Sequence, residues 1–278
     1  MFDGHQSGSG LRLAAAARGT WDNFALFPLI LRESPVVQLS VVVPVRNEED
    51  NILPLLAEIH AALESRAEFE VLYVDDGSDD ASLGVLREAL ARYPRLRVLS
   101  HAERCGQSAA LLTGARAARG AWIATLDGDG QNDPADLPKL LAARDAAARP
   151  QNLQLVGGWR KSRRDHWLKR LSSRVANAVR SRLLGDATPD TGCGLKLIAR
   201  AAYLELPFFD HMHRFLPALV QRNGGATLSV EVSHRPRTRG RSNYGVHNRL
   251  WVGIVDLGGV LWLRRRMQRP QVSELPRP

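Results

Sequence analysis

Cysteine is nearly missing from this sequence: Cys105 and Cys193 are the only two in 278 residues, and they share no C-x-x-C spacing. That excludes a disulfide-stapled scaffold and a cysteine-ligated zinc site, and it fits a reducing, cytosolic setting. Long apolar runs are scarce as well. The nearest candidate, LWVGIVDLGGVLWL over 250–263, is broken by Asp256 and followed by Arg264, Arg265 and Arg266. It falls short of the ~18 apolar residues of a membrane-spanning helix, so it is expected to lie on a membrane or pack on a partner. No positively charged segment leads into a continuous apolar core near Met1, and no signal peptide is expected. Negative charge is the minority: 29 Asp and Glu stand against 38 Lys and Arg, a formal net charge of +9. Anionic partners follow from that balance, whether nucleotide, phosphate, nucleic acid or acidic membrane surface.

Several nucleotide motifs are also absent. The sequence has no G-x-x-x-x-G-K-[ST], so it holds no P-loop, and no complete G-x-G-x-x-G follows a candidate strand. What is present is alternation. LSVVVPV (39–45), EVLYVDD (70–76), LRVLS (96–100), AWIATLD (121–127) and QLVGG (154–158) are short apolar runs suited to strands buried on both faces. Stretches with apolar residues at helical spacing separate them. Such alternation predicts an α/β fold with a mostly parallel sheet flanked by helices. Residues 1–37 read as a polar, glycine-rich extension, 38–246 as the main domain, and 247–278 as a short apolar helix with a basic tail.

Ligands of parallel sheets bind beyond the carboxyl ends of the strands. Here those ends read PVRNEED, VDDGSDD and LDGDGQND. For Asp79, Asp80 and Asp133, each just before a candidate helix, helix capping competes with a functional role. Asp127 and Asp129 are different, because two like charges this close repel unless a cation joins them. A hard divalent cation that keeps waters and bridges substrate phosphates suits such a pair, with Gln131 adding a neutral oxygen. A calcium EF-hand begun at Asp127 fails, since Asn132 and Pro138 stand where Gly and Glu are needed.

SVVVPVRNEEDNI, VDDGSDD and LDGDGQNDP, in that order, resemble the motifs of the inverting family 2 glycosyltransferases with the GT-A (Rossmann-like) fold. GWRKSRRDHWLKRLSSRVAN, DTGCGLKLIAR, MHRFLPAL and HRPRTRGRSNYG narrow the resemblance to polyprenyl-phosphate glycosyltransferases of the dolichol-phosphate mannose synthase type. It covers roughly residues 38–246. The resemblance implies that Pro44, Arg46, Glu48 and Asp75 line a nucleoside pocket, with Asp76 and Gln107 near ribose and base. It implies that Asp127, Asp129 and Gln131 hold Mg²⁺ or Mn²⁺ against the donor diphosphate. Arg160, Lys169, Ser173 and Arg174 would receive the acceptor phosphate, and Arg237, Ser242 and Tyr244 would close over the diphosphate. Arg46 departs from a frequent Tyr or Phe, and Cys193–Gly194–Leu195–Lys196 replaces the commoner Ser-Gly-Phe-Arg, so a GDP- or a UDP-linked donor both fit.

Between Trp159 and Gly185 the chain carries nine basic residues, counted by name as Arg160, Lys161, Arg163, Arg164, Lys169, Arg170, Arg174, Arg180 and Arg182, against Asp165. Trp167, Leu168, Leu171, Val175, Val179 and Leu183 fall at helical spacing beside them, a pattern suited to a membrane surface. Nucleic-acid binding is not expected, because carboxylates at the sheet mouth repel phosphates unless metal-loaded and no zinc-finger or RNP motif is present. A phosphate acceptor, with a second pKa of ~6, is largely ionised at neutral pH and needs no general base. Asp127 and Asp129 are therefore expected to act through the metal, and Asp190 is a reserve candidate for sugar contacts or base catalysis. Cys193 and the histidines are expected to pack or hydrogen-bond, with His213–Arg214 near the acceptor. The expected activity is metal-dependent sugar transfer, with inversion, from a nucleotide sugar to a polyprenyl phosphate at the cytosolic membrane face, with or without a separate membrane subunit. Its rivals are transfer to a polysaccharide or lipid hydroxyl, and an inactive binding subunit.

Overall fold

The computed structural model describes residues 37–149, 151–161, 180–236, 248–268 and 273. Lys169, Ser173, Arg174, Arg237, Ser242 and Tyr244 lie outside them, as do residues 1–36 of the expected extension.

Seven strands form one sheet: β1 (Leu39–Val45), β2 (Phe69–Asp75), β3 (Leu96–Ser100), β4 (Trp122–Thr125), β5 (Leu153–Trp159), β6 (Lys196–Ala199) and β7 (Ala226–Glu231). Their order is β3-β2-β1-β4-β6-β5-β7. β1 pairs in parallel with β2 and β4, β2 with β3, and β5 with β7, while β6 runs antiparallel to both β4 and β5. The sheet is thus mostly parallel, as expected. Sequence reading finds five of the strands and misses β6 and β7.

The side-chain alternation of β1 divides the core in two. Val41, Val43 and Val45 pack with Ile52, Leu55, Leu56, Ile59 and Leu63 of α1 (Glu49–Leu63), and with α2 (Ser82–Leu90) and α4 (Leu137–Asp145). Val42 points the other way, toward Ala110, Leu111 and Ala115 of α3 (Gln107–Ala117). On that second face lie α5 (Arg200–Leu204), α6 (Leu216–Arg222) and part of α7 (Asn248–Arg265).

β1 is the switch point. α1 links β1 to β2 on one face, and α3 links β3 to β4 on the other, so β2 and β4 flank β1 from crossovers on opposite faces and their carboxyl ends open a crevice. α7 buries Val260 against the second core and leaves Ile254, Val255 and Trp262 at 50%, 68% and 60% exposure. Among the described residues no helix is long and apolar enough to cross a membrane.

Candidate active site

The loops after β1 and β2 are stitched into one wall. Asn47, in a left-handed conformation at φ 56, exchanges hydrogen bonds with Asp79: its Nδ2 donates to Oδ1 at 2.5 Å, and its Oδ1 accepts from the Asp79 N–H at 3.0 Å. The N–H groups of Asn47 and Glu48 donate to the hydroxyls of Ser78 and Ser82, both at 3.0 Å. Arg46 approaches Asp79 at 3.9 Å, and its Nε is buried without a hydrogen-bond partner. Pro44 and Glu48 sit beside it, partly buried. Asp75 is occupied by the Ser78 hydroxyl and N–H. Asp80 accepts from the Ser82 N–H at 2.9 Å and Asp133 from the Ala135 N–H at 3.0 Å, so both serve the turns that open helices.

Asp76, the second acid of the β2 loop, holds the start of α3. Its carboxylate accepts from the N–H groups of Cys105 and Gly106 at 2.8 Å each and contacts His101 Nδ1 at 2.8 Å. Burial opposes its ionisation, but these bonds outweigh the burial and lower its pKa. Asp76, His101 and Cys105 are also the group of three potential metal ligands found within 4.8 Å of one another among the described residues. Asp76 already receives hydrogen bonds from both other residues of that group, which explains the cluster without an ion.

The first residue of α3 brings the acidic loop into the same site. Gln107 Nε2 donates to Asp127 Oδ1 at 2.8 Å, and the Asp127 N–H donates to Asn132 Oδ1 at 3.2 Å. Asp129 Oδ1 accepts from the Gln131 N–H at 3.1 Å, so the loop curls back on itself. Burial and then the Asp129 charge raise the Asp127 pKa, against the opposing pull of Lys196, Arg160 and the Gln107 amide. A cation between the two carboxylates relieves that repulsion, and carboxylate and amide oxygens are donors suited to a hard divalent ion. Gly194 keeps the space clear: a Cβ there would overlap the Asp127 carboxylate and lie 2.6 Å from Asn132 Oδ1.

Arg160, immediately after β5, is held by Asp190. Its Nε donates to Oδ2 at 2.7 Å and its Nη2 to Oδ1 at 3.0 Å, with both side chains nearly buried. This two-pronged geometry fixes the guanidinium plane. Lys196, 5% exposed at the start of β6, donates to the Cys193 carbonyl oxygen, and burial lowers its pKa despite nearby Cys193, Asp127 and Asp190. Burial also raises the Cys193 thiol, which packs in the core as expected. His213 Nδ1 meets the Ser108 hydroxyl of α3 at 2.8 Å.

A strap after β7 closes one side. The Arg235 N–H donates to the Gln131 carbonyl oxygen at 3.1 Å, and its guanidinium reaches Glu58 at 2.7 Å and Asp133 at 2.6 Å. The Ser233 N–H donates to Asp136 at 2.6 Å. This strap leads directly into the segment bearing Arg237, Ser242 and Tyr244. Sequence reading misses Asn132, Gly194, Lys196 and Arg235 as site residues, although all lie within or beside the quoted motifs.

The structure thus gathers Arg46, Asp76, Gln107, Asp127, Asp129, Arg160 and Asp190, from loops and the first turn of α3, along one region of an α/β sheet with the GT-A fold. The Glycosyl transferase family 2 profile matches residues 40–206, and the chain belongs to that family. It is 37% identical over 242 residues to dodecaprenyl-phosphate galacturonate synthase of Rhizobium johnstonii, covering 84% of this chain and 69% of that one. Over 211 residues it is 35% identical to undecaprenyl-phosphate 4-deoxy-4-formamido-L-arabinose transferase of Edwardsiella ictaluri, covering 75% of this chain and 63% of the relative. The fold resembles mannosyl-3-phosphoglycerate synthase from Rubrobacter xylanophilus at a TM-score of 0.65, 19% identity, and coverage of 86% and 79% of the two chains. It also resembles glucosyl-3-phosphoglycerate synthase from Mycobacterium tuberculosis, crystallised with Mn²⁺, UDP-glucose and glycerol 3-phosphate, at a TM-score of 0.62, 21% identity, and coverage of 82% and 80%.

Proposed function

We propose that this enzyme transfers a sugar, with inversion, from a nucleotide sugar to a polyprenyl phosphate at the cytoplasmic face of a membrane. The observation that carries this reading is the placement of Asp190. Both its oxygens are spent on the Arg160 guanidinium, which disfavours it as the general base that a hydroxyl acceptor requires. An ionised phosphate needs no base. The names of the two curated relatives point to the same acceptor class.

In this reading Arg46, Glu48, Asp76 and their neighbours hold the nucleoside, the unsatisfied Arg46 Nε supplying a ready donor. Asp127 and Asp129, with Gln131, would hold Mg²⁺ or Mn²⁺, which supplies charge compensation for the departing nucleoside diphosphate. Gln107 orients Asp127 for that task. Arg160 receives the acceptor phosphate with Lys169, Ser173 and Arg174 and holds one anionic oxygen behind the anomeric carbon. That oxygen forms the new bond to the anomeric carbon as the bond to the nucleoside diphosphate breaks. Arg237, Ser242 and Tyr244 complete the diphosphate contacts. The domain spans 38–246, with 247–278 serving the membrane surface.

The test is a screen of UDP- and GDP-sugars against undecaprenyl phosphate, with free alcohols as competing acceptors and Asp129→Asn as control. Lipid-linked sugar phosphate is expected from at least one donor, with most turnover lost in the variant. Turnover on alcohols alone, or undiminished turnover in Asp129→Asn, would contradict the reading.

A further inference from the structure

Two buried arginine–aspartate pairs are carried by one short turn. Asp190 holds Arg160, as described above. Four residues earlier, Asp186 holds Arg180, which lies in a helical stretch over 180–184. The Arg180 side chain is 10% exposed and that of Asp186 0%. One Arg180 Nη donates to the Asp186 carboxylate, and the other donates to the Thr188 carbonyl oxygen at 2.9 Å. The Thr188 N–H donates to Asp186 Oδ1 at 3.3 Å, and Gln221 Nε2 of α6 donates to the Asp186 carbonyl oxygen at 3.1 Å. Between these anchors the backbone is bent. Gly185 and Ala187 are both left-handed, at φ 58 and φ 48. An alanine keeps that conformation only where its surroundings impose it.

Stability alone is a poor reason for such a pair, because well-packed apolar groups in its place are often as stable or more so. Arg180 even leaves its Nε buried and unpartnered. What the pair does provide is direction. Arg180 fixes Asp186 and Thr188 together, and the chain leaving Thr188 delivers Asp190 to Arg160 two residues later. In sequence, Arg160 and Arg180 bracket most of the basic run, so one turn holds a residue at each of its ends.

We propose that Arg180 and Asp186 are positioning residues for the acceptor: they set the turn that carries Asp190, which aims the Arg160 guanidinium at the acceptor's anionic oxygen. This rests on the polyprenyl-phosphate reading above. Neither residue is placed at a reacting atom, so both act through Arg160, and their main effect falls on the acceptor.

The test has a kinetic arm and a substrate-free arm. In kinetics, Asp186→Asn is expected to raise the KM for undecaprenyl phosphate about tenfold or more, while the nucleotide Kd measured with Mn²⁺ stays within about twofold. Asp186→Asn combined with Asp190→Asn should cost little more than Asp190→Asn alone, because both act through one guanidinium. Fully additive losses, or an unchanged KM, would overturn the proposal. In the second arm, the Arg160 amide, which donates to Asp190 Oδ2 at 3.3 Å, should exchange with deuterium at least about tenfold faster in Asp186→Asn, with β1 unaffected. Equal exchange rates would overturn it. This arm needs no substrate, so an enzyme inert toward polyprenyl phosphates would sink the acceptor reading while the turn's hold on Arg160 is still decided. Should Asp186→Asn not fold, the double variant Arg180→Met/Asp186→Leu replaces the pair with apolar groups. It is expected to fold with a raised acceptor KM, and a wild-type KM in it would overturn the proposal.

Discussion

Gly194 decides how closely β6 approaches the Asp127 carboxylate. The Thr125 hydroxyl donates to the Gly194 carbonyl oxygen at 2.6 Å and ties the glycine to β4, so the backbone cannot easily retreat from an added methyl. Gly194→Ala is therefore expected to displace Asp127 and weaken Mn²⁺-supported nucleotide binding by about tenfold or more, about 1.4 kcal/mol. Calorimetry with and without Mn²⁺ reads this, and wild-type affinity in the variant would show that Asp127 has room to move. At this scale the sequence is half legible. The Asp127–Asp129 spacing carries its own chemistry and is readable alone. Its supports are not: Gln107 and Gly194 come from separate places in the chain and meet Asp127 only in the fold, and the bond from the Asp127 N–H to nearby Asn132 depends on how the loop curls. Asp190 illustrates the limit: its motif marks it as part of the site, but only the geometry reveals that it serves Arg160.

Elements are legible in the sequence where burial is symmetrical. β1 and β2 are almost wholly buried because helices cover both faces, and their bounds emerge within a residue; those of β3 do too, although it is an edge strand in which only Leu96 is buried. β7 breaks the pattern: ATLSVE is largely exposed or half-buried, so it carries little apolar signal. β6 has only four residues, and its antiparallel direction follows from pairing with β4 and β5, which no local pattern encodes. The packing of α3 against the 210–214 turn carries a pH consequence. Burial first, and then the nearby Lys196, Arg214 and His211 charges, push His213 down to about 3. In the unfolded chain an ordinary histidine titrates near ~6.5. The folded state therefore binds fewer protons between those two values. His213 contributes stability above ~6.5 that is progressively lost as pH falls toward the folded value, by at most ~1.4 kcal/mol per pH unit. Urea midpoints between pH 7.5 and 5 should fall in the wild-type protein and fall less in His213→Gln. Parallel pH profiles would mean that His213 is protonated within the fold.

At the scale of the whole chain, composition is the most legible signal: the excess of basic residues alone points to anionic partners. α7 gives that charge a direction. Val260 faces the core, whereas Ile254, Val255 and Trp262 present apolar surface outward and Arg264, Arg265 and Arg266 follow. Each basic side chain near an anionic bilayer contributes ~1 kcal/mol, and each fully buried large apolar side chain ~1.5–3 kcal/mol. Exposed residues embed only in part, so Val255→Ser/Trp262→Ser should weaken partitioning by roughly tenfold, each 1.4 kcal/mol being a factor of ten. Sedimentation with vesicles containing phosphatidylglycerol measures this. Wild-type binding should also weaken as salt rises, because screening shortens the reach of the arginines. The two effects separate the contributions: the double variant should keep its salt dependence and lose affinity at every salt concentration. If the variant sediments as fully as wild type, the outward face of α7 does not meet the bilayer, and the basic run between Arg160 and Arg180 becomes the surface to test next.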